Sequence, residues 1–464
     1  MRAASSPAAP SPSASPRTSA EAFLLTPGPR PGTGLLAWPS RHRPRGRPTV
    51  KLAPALLGLL CLGAAEAFAA PSEIVVVGGE GADCLEDPGC INRLHPLIPM
   101  AARAAPGQTI LFRTRDARDS LGLAGEQGDT PPPLNMDFGR IHPVTGPVYI
   151  EGARAGDVLK VTLKAIDPGR WAWTSGGSGG FIPDRVDGGL QIFWRLNREY
   201  AESDALPGIR IPNAGFPGVI TTLPGEAQLS VMLAREQAVA DAGGRVNLPD
   251  PGSASPAPVC GEDGSASDAC LRTIPPREHG GNMDIRYLKA GVSIYLPCYV
   301  DGCGLAIGDL HYAQGDGEVS GTAIEMSADV WATTEVLRDG PDLSRGPHYE
   351  GPSSLLDIPS RTFYAVTGFP LKAAGSVPPD MAYLGSDAVA GLENLPNDVN
   401  LAARNAVEGI VDYIVTTYGY DRQQAYIIAS VAADVRIGQL VDVPNYGVTA
   451  VLPLDIFVDP PKGP

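Results

Sequence analysis

The sequence is short of charge, of aromatic rings and of histidine. Of its 464 residues, 19% are Asp, Glu, Lys or Arg and 6% are aromatic, and there are six His. Average domains carry about 25% charged residues, and 43% of this chain is hydrophobic, so bulk disorder is excluded. It has no C-x-x-C pair and no glycine fingerprint of a Rossmann or P-loop nucleotide site. It also lacks repeated apolar runs of the roughly 20 residues that cross a bilayer, which excludes a polytopic membrane protein. What is abundant is Gly (55) and Pro (47), together about a fifth of the chain against an average of roughly 12%. Without a collagen period, that load specifies many turns and short strands, and it excludes helical solenoids and coiled coils.

Net charge is -15, and it is unevenly spread. Residues 1–69 hold eight Lys and Arg against Glu21 and Glu66, which leaves 28 basic and 49 acidic residues in the remainder. Such a surface repels phosphate backbones and anionic lipid. Nucleic acid and membrane surfaces are therefore not expected partners, whereas a neutral or cationic small molecule is.

Residues 1–49 are rich in Ala, Ser, Pro and Arg and show no apolar periodicity. A basic cluster follows (Arg41, Arg43, Arg45, Arg47, Lys51), then the apolar run from Leu52 to Ala65, then Ala67-Phe68-Ala69. A charged flank, an apolar run and a small-residue exit describe a secretory signal peptide. We expect translation to begin near Val50, residues 50–69 to be cleaved, and the mature protein to be periplasmic or secreted and free of the membrane. Removing Cys61 with the leader leaves Cys84, Cys90, Cys260, Cys270, Cys298 and Cys303. An even count in an oxidising compartment reads as a disulfide framework. Their grouping favours the local pairs 84–90, 260–270 and 298–303.

Strand signals dominate the mature chain: 74–78, Thr109 to Phe112, Val148 to Ile150, and the alternating Leu159, Val161, Leu163 and Ala165. Val292, Ile294 and Leu296 alternate likewise, as do Ile324, Met326, Ala328 and Val330, leaving Glu325, Ser327 and Asp329 on the opposite face. Ser175 to Gly180 reads as a glycine-rich surface loop; the serine–serine–lysine amidase chemistry it superficially suggests needs closer serines and a lysine base. Residues 239–270 read as a surface insertion. Near 397 the pattern changes. Leu401, Val407, Ile410, Val411, Ile414 and Tyr418 keep helical spacing up to Gly419, and Asp421 with Gln424 predicts a capping box for a second helix through Ala433. The expected fold is mainly β, sandwich-like with many short strands, followed by an α+β segment: a β-rich body over 70–396 and a C-terminal segment over 397–464.

Polar chemistry concentrates between 275 and 325. Glu278-His279-Gly280-Gly281-Asn282-Met283-Asp284 is followed, after one strand, by Gly308-Asp309-Leu310-His311-Tyr312-Ala313-Gln314-Gly315-Asp316-Gly317-Glu318 and by Gly321 to Glu325. Glycines beside carboxylates, amides and imidazole allow tight turns that aim several ligands at one point. Asp, Glu and neutral His are natural ligands of Zn²⁺ or a harder ion. The same stretch reads equally as an acidic turn on a solvated surface.

These segments resemble the acetamidase/formamidase family of small-amide hydrolases. The similarity rests on Gly280 to Asp284, Tyr295-Leu296-Pro297, Gly308-Asp309 to Glu318, and Gly321 to Glu325. It extends to Arg115-Asp116-Ala117, to His142 through Pro147 with Glu151 to Asp157, and to Ala432 through Arg436, Gln439 to Asp442 and Val448 to Pro453. The resemblance runs over roughly 105–458. Cys298 and Cys303 and the stretch 239–270 depart from the family's pattern, and substrate identity is what they leave open.

The resemblance implies hydrolysis of the C–N bond of a small aliphatic amide with release of ammonia. A divalent metal, zinc first and calcium second, would activate water. The expected ligands are Asp284, Asp309 and His311, with Glu325 in reserve; Glu318 is the expected proton shuttle, and Asn282 and Gln314 orient the amide. Asp284 reads equally as a turn cap, and Glu318 as a ligand. His279 reads equally as a solvated rim residue or a catalytic one, His142 as a loop residue, and Arg115 with Asp116 as a structural ion pair. A homo-oligomer is compatible with these residues. The competing reading is a non-catalytic periplasmic binding or structural protein on the same scaffold.

Overall fold

The computed structural model describes residues 73–177, 180–241, 246–341, 343, 347–355, 363–368, 398–439 and 447–459. The leader and its cleavage site, the boundary at 397, and Leu440 to Asp442 lie outside them. Among the described residues no helix is long and apolar enough to cross a membrane.

The strands that position the polar cluster are β1 (Ile110–Arg113), β2 (Val144–Ile150), β3 (Val158–Gly177), β4 (Phe216–Thr221), β5 (Gly280–Asn282), β6 (Cys303–His311) and β7 (Glu325–Leu337). They belong to one large, mostly antiparallel sheet. Its spine is β3 against β7, from Glu325 opposite Trp173 to Leu337 opposite Val158. β6 pairs with β7 at its C-terminal end, with β2 along its length, and with β4 on its other edge. β4 in turn carries β5, with Val219 opposite Asn282. Every residue of β6 is buried, the pattern of a strand covered on both faces.

That double coverage extends to the start of β7: Ile324, Met326, Ala328 and Val330 are buried, and so are Glu325 and Ser327 on the opposite face. β3 does not end near Ala165. It continues through Asp167-Pro168-Gly169, where the register slips between Met326 and Ala328. A bulge accommodates a proline that an unbroken ladder would exclude. Ser175 to Gly177 are therefore ladder residues paired with Gln191 to Gly189, not a surface loop; Ser178 and Gly179 lie outside the described residues.

A second, smaller apolar cluster forms around Leu94, Leu223, Leu229, Met232, Val259 and Leu271. It packs the described part of 239–270 and the helix α1 (Glu226–Asp241) onto the outer face of β4. Of the sequence pairs, Cys84–Cys90, Cys260–Cys270 and Cys298–Cys303 are all bonded.

The C-terminal segment follows its sequence signals. Helix α2 (Val399–Tyr418) ends at Gly419 with φ +73°, and Asp421 with Gln424 forms the capping box that starts helix α3 (Arg422–Ala432). α2 packs on a three-stranded sheet of Phe363–Gly368, Gly447–Pro453 and Asp434–Gln439. Its Val407, Ile410 and Ile414 join one core with the body strands.

Candidate active site

Strand period and pairing place the cluster. Asp309 and His311 are two apart on β6 and so share one face of the sheet. Glu325 stands directly opposite His311 on β7, and Phe216 opposite it on β4. The turn after β5 brings Asp284 to the same spot, because the backbone N–H groups of Met283 and Asp284 donate to the Gly218 carbonyl on β4. Gly218 lies beside Asp309, and a Cβ there would come within 2.6 Å of Asp284 Oδ1 and 2.7 Å of Asp309 Oδ2. The absence of a side chain at 218 is what lets the two carboxylates meet.

One ligand atom each from Asp284, Asp309 and His311 lies within 4.8 Å of the others, and the same holds for His311, Glu318 and Glu325. His311 Nε2 is 3.3 Å from Glu325 Oε2 and 3.6 Å from Asp309 Oδ2. Its Nδ1 is held at 2.8 Å by Gln314 Oε1, and Gln314 Nε2 donates to the Asp284 carbonyl at 3.0 Å. Both ends of the Gln314 amide thus engage the protein. Phe216 packs edge-on to the imidazole, with ring centroids 5.1 Å apart. Asn282 ends β5 two residues before Asp284, partly exposed, with its side-chain oxygen unpartnered. All five expected acidic and imidazole residues therefore converge.

The electrostatics reflect four carboxylates crowded around one buried imidazole. Burial, reinforced by Asp309 and Glu325, pushes Asp284 up to about 7 against the pull of His311. Burial and the Asp284 charge push Glu318 well above the ordinary carboxylate range, and burial with Asp309 raises Glu325. Asp309 goes the other way: despite burial, His142 and His311 draw it down to about 2. Glu325 and Asp309 hold His311 well above the usual imidazole value, although burial opposes this. Like charges this close cannot all ionise without a compensating cation.

The donor set fits a divalent metal. Asp284 Oδ1, Asp309 Oδ1 and Glu325 Oε2 are buried without a hydrogen-bond partner, and orphaned buried oxygens are rare in native proteins unless something else satisfies them. Backbone strain gathers here too. Asp284, Asp309 and Glu318 have φ of +49°, +53° and +40°, values that non-glycine residues hold only when their surroundings enforce them.

Sequence reasoning passed over two participants. His142 is not a bare loop residue: its Nε2 lies 3.8 Å from Asp309 Oδ2, and its Nδ1 is buried without a partner. The pairing of Val144 with Gly308 brings it there. The other is Gly218, for which glycine beside a strand of apolar residues was the available signal. His279, by contrast, is not at the rim; it is fully buried, its Nδ1 2.7 Å from Thr221 Oγ1. Arg115 and Asp116 do not pair with each other. Arg115 lies beside Asp87 and Asp119, while Asp116 accepts from Trp173 Nε1 and from the backbone of Ser120 and Leu121.

A β-sheet scaffold around a buried carboxylate–imidazole cluster is the arrangement to be matched, and comparison with known proteins identifies its family. The model of the Acetamidase/Formamidase family matches residues 82–459. A formamidase from Methylophilus methylotrophus is 30% identical over 79% of this chain and 89% of its own length. An acetamidase from Mycolicibacterium smegmatis is 30% identical over 73% of this chain and 84% of its own. The solved structure of a gamma lactamase from Delftia acidovorans superposes with a TM-score of 0.71 at 28% identity, covering 82% of this chain and 93% of that one. The chain belongs to the acetamidase/formamidase family and is an amidase. The non-catalytic reading gives way to that assignment.

Proposed function

We propose that this amidase hydrolyses small aliphatic amides of the formamide and acetamide type, releasing ammonia, at a divalent metal site built from Asp284, Asp309, His311 and Glu325. The observation that carries the proposal is the set of buried, unpartnered carboxylate oxygens converging beside His311. These four residues would hold a divalent ion, zinc by preference, which when bound would supply an electrophile for the amide carbonyl and lower the pKa of water. Gln314 fixes the imidazole by accepting from Nδ1, so that Nε2 faces the cluster. Glu318, beside the cluster and with its affinity for a proton raised by burial and Asp284, would take the proton from water. The water oxygen bonds to the carbonyl carbon, Glu318 returns the proton to the amide nitrogen, and the C–N bond breaks to give the acid and ammonia. Asn282, whose side-chain oxygen has no partner within the protein, would hold the amide N–H.

Assays of ammonia release from formamide and acetamide, before and after chelation, test this reading. Turnover lost to chelator and restored by Zn²⁺ supports it. Turnover indifferent to complete metal removal, or no turnover of either amide by metal-replete protein, overturns it. The likeness to the gamma lactamase favours a cyclic amide as a second substrate class, and including a γ-lactam in the panel decides between ring and chain. The three disulfides support export to an oxidising compartment.

A further inference from the structure

The loop from Tyr312 to Ile324 joins β6 to β7 and carries both Gln314 and Glu318. Its backbone makes few ladder bonds, and helix α3 supplies what it lacks. The Ser430 hydroxyl donates to the Thr322 carbonyl at 2.8 Å and accepts from the Ser320 N–H at 3.1 Å, while the Ser430 carbonyl accepts from Gly315 at 2.8 Å. One turn earlier, the Tyr426 hydroxyl donates to the Val319 carbonyl and accepts from the N–H groups of Phe181 (2.7 Å) and Ile182 (3.0 Å).

We propose that Ser430 and Tyr426 are positioning residues for the reaction: their hydroxyls clamp the loop on both sides of Glu318 and hold its carboxylate against the Asp284–His311 cluster. Three observations converge. Glu318 keeps a left-handed φ of +40°, which a non-glycine residue retains only where neighbouring bonds over-determine it. The clamped carbonyls and amides at 315, 319, 320 and 322 bracket it closely. Finally, the two hydroxyls are four residues apart on one helix face, and both residues are buried. A buried hydroxyl is costly there unless its hydrogen bonds are needed. The proposal rests on Glu318 as the proton-transferring group. It makes the C-terminal α+β segment part of the catalytic unit rather than an appendage.

The test is a double-mutant cycle on formamide hydrolysis by the full chain loaded with zinc, using Glu318→Gln, Ser430→Ala and Tyr426→Phe. Misplacing a catalytic group by about 1 Å costs on the order of 10²-fold. We therefore expect Ser430→Ala and Tyr426→Phe each to lower kcat by roughly 10- to 100-fold, with KM and bound zinc changed less than about twofold. In the Glu318→Gln background either should cost less than about twofold more, because the group it positions is gone. Tyr426→Phe loses one oxygen and keeps the ring, so it carries the test if Ser430→Ala does not fold. Unchanged kcat in a folded clamp variant, with Glu318→Gln impaired, overturns the clamp alone; so do losses that multiply in full with Glu318→Gln. Full activity of Glu318→Gln overturns the proton-shuttle reading and the clamp with it.

Discussion

His311 and Glu325 face each other across neighbouring antiparallel strands, and their side chains meet at 3.3 Å between Nε2 and Oε2. No loop rearrangement is needed to bring them together; the register of β6 and β7 does it. Replacing His311 with Ala should therefore leave the sheet intact while removing the imidazole from the proposed metal-binding set. The expected result is a fall in amide turnover of at least about 10²-fold, with less than one equivalent of zinc bound and an unchanged far-UV spectrum. Retained turnover would remove His311 from the reaction.

Gly218 offers a sharper test, because it contributes no chemistry of its own. A Cβ at 218 would lie 2.6 Å from Asp284 Oδ1, 2.7 Å from Asp309 Oδ2 and 2.9 Å from the Asp309 carbonyl. Gly218→Ala should push the two carboxylates apart, lower zinc affinity and activity by at least about tenfold, and destabilise the fold by about 1–3 kcal/mol, as overpacking does. Zinc titration and thermal melting of the variant measure both. Wild-type zinc affinity would show that the gap at 218 is not what brings the carboxylates together.

The helices at the C-terminus were legible because their signals are local: apolar spacing from Leu401 to Tyr418, Gly419 at the stop, Asp421 and Gln424 at the start. The cluster was legible in part, since Asp309, His311, Gln314 and Glu318 sit within ten residues and Asp284 within a glycine-rich turn. What could not be read were contacts made by register. His142 reaches Asp309 only because β2 pairs with β6, and helix α1 offers a short apolar stripe, Leu229, Met232 and Leu233, within a mixed sequence. The run of β3 beyond Ala165 was not legible for a physical reason: Pro168 argues against a strand interior, and the bulge opposite Met326 to Ala328 is what admits it.

Buried His279 makes stability depend on pH. Burial, with Arg277 nearby, lowers it to about 3 from 6.5, against a smaller opposing pull from Glu278. Above pH 6.5 both folded and unfolded chains hold it neutral, and its full contribution is present. Between about 6.5 and 3 only the unfolded chain binds the proton, so stability falls as pH falls. At 1.36 kcal/mol per pKa unit the loss approaches roughly 5 kcal/mol at the acid limit. In urea unfolding between pH 7.5 and 5, His279→Gln should flatten the slope relative to the native chain. Parallel pH profiles for the two proteins would show that another group sets the acid sensitivity.

The disulfides bear on folding rather than chemistry, and loop length ranks them. Closing the loop between Cys260 and Cys270, ten apart in sequence, removes more unfolded-chain entropy than closing Cys298–Cys303, five apart. The chain-entropy relation puts them at about 2.8 and 2.2 kcal/mol. The larger value also falls where it matters more, since Cys260 and Cys270 belong to the small cluster that holds α1 and residues 246–270 on β4. The double Cys260→Ser, Cys270→Ser variant should therefore lose about 3 kcal/mol or more and expose 246–270 to proteolysis, while its kcat on formamide stays within about twofold. Breaking Cys298–Cys303 should cost less and leave that segment protected. Equal protease resistance in all three proteins would place the stability of this region in its apolar packing alone.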